Sequence, residues 1–130
     1  MIGLDTNLLV RLFANDSPDE RARVIALLDA LPSGETAYVN VLVVAELIWT
    51  LRRAYGFEPH EIASVLRRLT EHPRISTEAD LLREAAHRSR EEGGDVADQL
   101  IALINRARGC RTTFTFDRDA GRSTDFSPVP

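Results

Sequence analysis

The sequence predicts an α/β protein, a mainly parallel sheet with helices on both faces. Three observations predict it. Short apolar or β-branched runs alternate with longer segments of helical spacing, in the order strand, helices, strand, helices, strand, helices, strand. The helical segments carry start and stop residues at their ends. No internal repeat, low-complexity stretch or boundary interrupts the pattern, so one domain over residues 1–130 is expected.

Met1–Asp5 reads as a short buried strand ending in a carboxylate. Thr6–Ala14 has helical spacing of Leu8, Leu9, Leu12 and Phe13. Ser17-Pro18-Asp19-Glu20 is a helix start, with Ser17 as N-cap and Pro18 in the first turn. Ala22, Ile25, Ala26, Leu28 and Leu31 form the expected apolar stripe of that helix, which stops at Pro32-Ser33-Gly34. Thr36–Val39 is a strand. Asn40 caps a strongly apolar helix closed by Gly56, and Glu58–Glu71 is a second amphipathic helix ended by Pro73. Arg74–Ser76 is a short strand, and Thr77–Glu92 a helix capped by Ser76 or Thr77. After the Gly93-Gly94 loop, Asp95–Arg108 is a helix closed by Gly109. Thr112–Phe116 is a β-branched and aromatic strand. The tail is a loop with room for one edge strand, because Pro128 and Pro130 cannot donate ladder hydrogen bonds.

Composition narrows the function classes. The chain is 44% hydrophobic and 28% charged, ordinary for a globular protein. No basic segment precedes the first apolar run, so no signal peptide is expected. No apolar run approaches the roughly 20 residues that span a bilayer. A cytoplasmic protein without a membrane partner is the expectation, and the single Cys110, read as a small packing residue, agrees. The net charge of −4 argues against a general nucleic-acid coat, whose affinity comes from clustered cations. All 16 basic residues are arginine, so lysine-dependent mechanisms are excluded.

The carboxylates carry the chemistry. In open α/β sheets, sites gather beyond the carboxyl ends of the strands. Asp5 ends the first strand and Asp117 follows Thr112–Phe116, while Asp95 and Asp98 open a helix after a loop. Glu46 interrupts the apolar run of the helix after Asn40. Each has a purely structural reading. Asp5 can be an N-cap, Asp95 and Asp98 an N-cap and N3 pair, and Asp117 the start of a turn. Glu46 can belong to a solvated stripe with Thr50 and Arg53. Taken together, acids from remote stretches that met on one rim would repel one another without a counter-charge. All-oxygen ligation suits Mg²⁺ or Mn²⁺, ions that activate water and neutralise a phosphodiester's developing charge. His60, His72 and His87 lack the spacing of a soft-metal site and read as solvated surface residues. No nucleophilic-serine elbow, phosphate-binding loop or dinucleotide fingerprint is present.

The segments MIGLDTN, VVAEL, DVADQLIAL and TFDRD, in that order along nearly the whole chain, resemble the PIN-domain ribonucleases, and within them the VapC-type toxins. The resemblance implies a doubly wound, three-layer α/β/α fold with four to five sheet strands. It places catalytic roles on Asp5, Glu46, Asp98 and Asp117, with the metal on Asp5, Asp98 and Asp117. Asp95 and Asp119 follow as secondary acids, and Thr6 or Asn7 would orient the first carboxylate. It implies a homodimer, an RNA substrate and a small VapB-like antitoxin that blocks the site. Two positions depart from the family pattern: Ala120 stands where an aromatic is frequent, and Gln99 where a small residue is usual.

On this reading the chain is a Mg²⁺- or Mn²⁺-dependent endoribonuclease, with Arg11, Arg52, Arg53 and Arg118 as candidate phosphate contacts. Alternatives are a solitary RNA-processing nuclease and a non-catalytic PIN-like interaction module. A receiver domain and a haloacid-dehalogenase-type phosphatase both require a lysine, and the latter also an acid where Asn7 stands.

Overall fold

A computed structural model describes residues 1–130. The α/β fold class predicted from the sequence is the one observed: six α-helices and five short strands, every strand pairing parallel. The chain divides into two compact units, Met1–Ala79 and Asp80–Pro130.

The first unit contains β1 (Ile2–Gly3), α1 (Thr6–Phe13), α2 (Pro18–Asp29), β2 (Ala37–Tyr38), α3 (Val41–Tyr55), α4 (Pro59–Glu71) and β3 (Ile75–Ser76). The strands pair in the order β1-β2-β3, with Ile2 opposite Ala37 and Ala37 opposite Ile75. Each crossover between them is helical, as parallel neighbours require. The ladder runs one residue further at its carboxyl edge, where Leu4 N–H donates to the Tyr38 carbonyl and Val39 N–H to that of Ser76. The Arg74 guanidinium donates to the carbonyls of Leu31 (2.9 Å), Pro32 (3.1 Å) and Glu35 (3.3 Å), binding the loop after α2 to the start of β3.

Helix α3 shows why the sequence was readable here. Val43, Val44, Leu47, Ile48 and Leu51 form one buried face, and Leu69 of α4 and Leu9 of α1 are equally enclosed. Asn40 accepts from Val43 N–H at 2.9 Å, and Gly56 ends the helix at φ +68°, a left-handed conformation that glycine adopts without penalty. Helix α2 departs from expectation. Its buried residues are Val24 and Leu28, while Ala22 and Ala26 lie exposed. Small alanines gave the false stripe, since their burial brings little apolar area. Ser17 occupies the N-cap position but its side chain makes no cap bond.

The second unit contains α6 (Val96–Ala107), β4 (Thr113–Thr115), a 3₁₀ turn (Ala120–Arg122) and β5 (Phe126–Pro128), together with nearly all of α5 (Ala79–Glu92). β4 and β5 pair with Thr113 opposite Phe126 and Thr115 opposite Pro128, so the proline closes the edge strand anticipated in the tail. Arg88 of α5, largely enclosed, pairs with Asp125 before β5 and with Glu84 at 2.9 Å. Cys110 is exposed, not a packing residue. It follows the helix-closing Gly109 (φ +95°), which turns the chain outward.

The caps generate a stability contrast. Asn40→Ala should lower stability by about 1 kcal/mol, whereas Ser17→Ala should change it by no more than a few tenths of a kcal/mol. Urea unfolding midpoints of the two variants test this, and equal losses would contradict the cap assignment.

Candidate functional site

The first unit carries Asp5, Thr6, Asn7 and Glu46. Asp5 leaves the carboxyl end of β1 and becomes the N-cap of α1, its Oδ1 accepting from Thr6 N–H at 2.7 Å. The side chain is exposed, and its second oxygen has no hydrogen-bond or ion-pair partner within the protein. Thr6 is buried and its Oγ1 has no hydrogen-bond partner. An enclosed hydroxyl without a partner is costly, so its place beside Asp5 is notable. Asn7 lines a cleft of about 450 Å³ between α1 and α2, with Leu8, Arg11 and Val24 among its neighbours there. Glu46 is exposed on α3, outside the buried face.

The arginines divide by engagement. Arg11 donates to Glu20 (2.9 Å), Asp16 (2.8 Å) and the Tyr55 hydroxyl (3.3 Å). It therefore ties α1 to α2 and α3, and its donors are not free for phosphate. Arg53 lies over the Trp49 ring, 5.9 Å from its centroid. Arg118, directly after Asp117, is exposed and has no partner within the protein. His60 and His87 are exposed as expected, but His72 is half-buried and its Nδ1 accepts from Arg74 N–H at 3.0 Å.

The second unit brings acids together. Asp95 and Asp98 form a reciprocal capping box at the start of α6: Asp95 Oδ1 accepts from Asp98 N–H (2.8 Å) and Asp98 Oδ2 from Asp95 N–H (3.1 Å). Asp117 organises the turn after β4, its Oδ1 accepting from Asp119 N–H (2.8 Å) and Ala120 N–H (3.2 Å). Burial pushes the Asp98 carboxyl above the ordinary aspartate range. The charges of Asp95 and Asp117 push the same way, against the lowering effect of the Asp95 N–H bond. Asp95, Asp98 and Asp117 thus share one electrostatic neighbourhood. Gly94 makes the approach possible: at φ +71°, a Cβ there would lie 3.3 Å from Ala120 Cα and 3.4 Å from the Asp98 carboxylate. Asp119, exposed, shares only the turn of Asp117.

The donor set suits a hard divalent ion. Asp5 and Asp117 each use one oxygen for main-chain N–H groups and keep the other without a partner in the protein, while Asp98 accepts from Asp95 N–H and has a further side-chain hydrogen bond with Asp95. Within each unit by itself, no three acidic, histidine or cysteine side chains are drawn in to ligand distance. The PIN domain family model matches residues 2–125. The chain belongs to the PIN-domain family. No curated protein matches it. Family membership makes the chain a nuclease at the coarse level, since PIN domains generally hydrolyse phosphodiesters with divalent metal ions. No helix of this PIN domain is long and apolar enough to cross a membrane.

Gln99, Ser123 and Gly93 were not assigned a role from sequence. Gln99 is fully enclosed, with Nε2 donating to the Gly93 carbonyl at 2.7 Å and Oε1 accepting from Ser123 Oγ at 3.4 Å. The available signal was its position on the apolar stripe of α6, three residues after Val96 and next to Leu100.

Asp98 also predicts a pH effect. A carboxyl whose folded pKa lies above its unfolded value stabilises the fold while protonated, and that contribution is lost as pH rises through the folded value. Asp98→Asn keeps an oxygen for Asp95 N–H and removes the charge. In the absence of metal the variant should melt above wild type at pH 7, and the gap should close as pH falls to the ordinary aspartate value of 3.8. Calorimetry over that range decides; a variant that melts lower at pH 7 contradicts the burial argument.

Proposed function

We propose that this PIN domain is a Mg²⁺- or Mn²⁺-dependent endoribonuclease of the VapC type, the toxin of a toxin–antitoxin pair. The observation that carries the catalytic part is the state of Asp98. Its carboxyl is disfavoured as an anion by burial and by the neighbouring charges of Asp95 and Asp117. Crowded carboxylates of this kind gain most from a divalent cation. Asp98, Asp117 and Asp5 would hold the ion, and Glu46 would complete the site or serve a second, weaker one. When bound, such an ion supplies Lewis acidity and neutralises charge on a phosphodiester in hydrolysis.

The remaining roles belong to the chain. Main-chain N–H groups at Thr6, Asp95, Asp119 and Ala120 fix one oxygen of each acid, so the other is held in a defined direction. Arg118 is the arginine best suited to a substrate phosphate, being exposed, adjacent to Asp117 and without an internal partner. Unstacked RNA is the proposed substrate, because its backbone bends into a pocket more readily than a duplex. A homodimer, a cytoplasmic location and a small antitoxin that covers the acids complete the proposal.

Two measurements test it. Asp98→Asn should reduce cleavage of single-stranded RNA by about a hundredfold or more, and excess EDTA should abolish it in the wild type. Undiminished cleavage in EDTA would overturn the metal-dependent reading. Millimolar Mg²⁺ or Mn²⁺ should raise the melting temperature of the wild type, and less so that of Asp98→Asn. For the toxin assignment, expression should arrest growth, and the product of a short adjoining reading frame should relieve the arrest. Cells that grow normally while producing folded, RNA-cleaving protein would point to a solitary processing nuclease.

A further inference from the structure

The carboxamide of Gln99 joins three pieces of chain that are separate in sequence. It belongs to α6, one residue after Asp98. Its Nε2 donates to the carbonyl of Gly93, in the loop before α6, and its Oε1 accepts from Ser123 Oγ, after the 3₁₀ turn. Ser123 is itself 2% exposed, and its N–H donates to the Ala120 carbonyl at 3.0 Å. Ala120 N–H in turn donates to Asp117 Oδ1, and Gly121 N–H to the Asp117 carbonyl at 2.9 Å. A continuous hydrogen-bonded path therefore runs from Gln99 to the carboxylate of Asp117.

Gly93 closes the same assembly from the other side. A Cβ at this residue, φ +106°, would come within 3.0 Å of the Asp119 carbonyl oxygen. The loop lies directly against the turn that Asp117 heads, and the Gln99 bond holds it there. A leucine would fill this enclosed position at less desolvation cost if packing were the only requirement. Glutamine is the side chain that gives to a carbonyl and takes from a hydroxyl at once.

We infer that Gln99 is a positioning residue of the acidic site, setting the spacing and orientation of Asp98 and Asp117 through the Gly93 loop and the Ala120–Ser123 turn. The role rests on the nuclease reading above and deepens it. Partners that orient metal-binding carboxylates outside their direct contacts typically alter metal affinity or activity by about tenfold to a hundredfold when removed.

The test compares wild type with Gln99→Met, which keeps length and volume but neither hydrogen bond. Amide hydrogen exchange on the metal-free proteins should quicken about tenfold or more at Asp119, Ala120 and Ser123 in the variant, with α1 to α4 unchanged. Calorimetric titration with Mn²⁺ alone should show about tenfold weaker binding, and kcat on single-stranded RNA should fall in step while KM stays within about twofold. Ser123→Ala removes one arm without touching the core side chain, and should show the same exchange pattern in weaker form; it serves if Gln99→Met does not fold. Unchanged exchange and Mn²⁺ affinity in a folded variant overturn the positioning role alone. A wild type that neither binds Mn²⁺ nor cleaves RNA overturns the nuclease reading, and the positioning role with it.

Discussion

Main-chain N–H groups at the start of a helix or turn need acceptors, and in each unit of this chain carboxylates supply them. Asp5 closes the start of α1, Asp95 and Asp98 close that of α6, and Asp117 closes the turn after β4. A carboxylate has two oxygens, and a cap needs only one. The arrangement fixes the rotamer of each acid at no cost in further ligands, because the bond that holds the backbone also aims the side chain. Structural and chemical readings of these acids are thus not rivals: on the proposed reading, the cap preorganises the donor.

The same economy creates a tension around Asp98. Capping favours its anion, while burial and the charges of Asp95 and Asp117 disfavour it, and the second effect prevails. A fold selected only for stability would place a neutral side chain such as glutamine at this N3 position, which returns the bond to the Asp95 N–H without repulsion. Retaining three carboxylates within electrostatic reach is the pattern expected where charge repulsion is held in reserve for a cation. Glycines at 93 and 94 serve the same end, since their left-handed backbone and missing Cβ let the loop approach Asp98 and the Asp117 turn closely.

Local features were legible in the sequence because their causes are local. Asn40 and Gly56 bracket α3, and the 43, 44, 47, 48, 51 face follows from helical periodicity alone. The positions of Asp5, Asp98 and Asp117 at strand ends and helix starts followed from element order. What escaped depends on contacts between remote residues. The bond from Ser123 to Gln99 spans 24 residues, and that from Arg11 to Tyr55 spans 44. Periodicity registers Gln99 as a polar interruption without naming its partners. Composition misled in α2, where alanine counted as apolar but lies exposed, and at Cys110, where residue type suggested burial.

Charge distribution constrains how such a protein can hold RNA on the proposed reading. A chain of net charge −4 gains little from counterion release along a phosphate backbone. Many of its arginines are also engaged internally: Arg11 by Asp16 and Glu20, Arg74 by three carbonyls, Arg88 by Glu84 and Asp125. Binding must then rest on a few contacts close to the scissile phosphate, namely the ion held by the acids and an arginine such as Arg118. Contacts concentrated there strengthen as charge develops in the transition state, whereas a diffuse basic surface would bind substrate and transition state alike. The net negative charge therefore fits, on the proposed reading, an enzyme that discriminates by how a strand bends into its acidic site, not by how much backbone it covers.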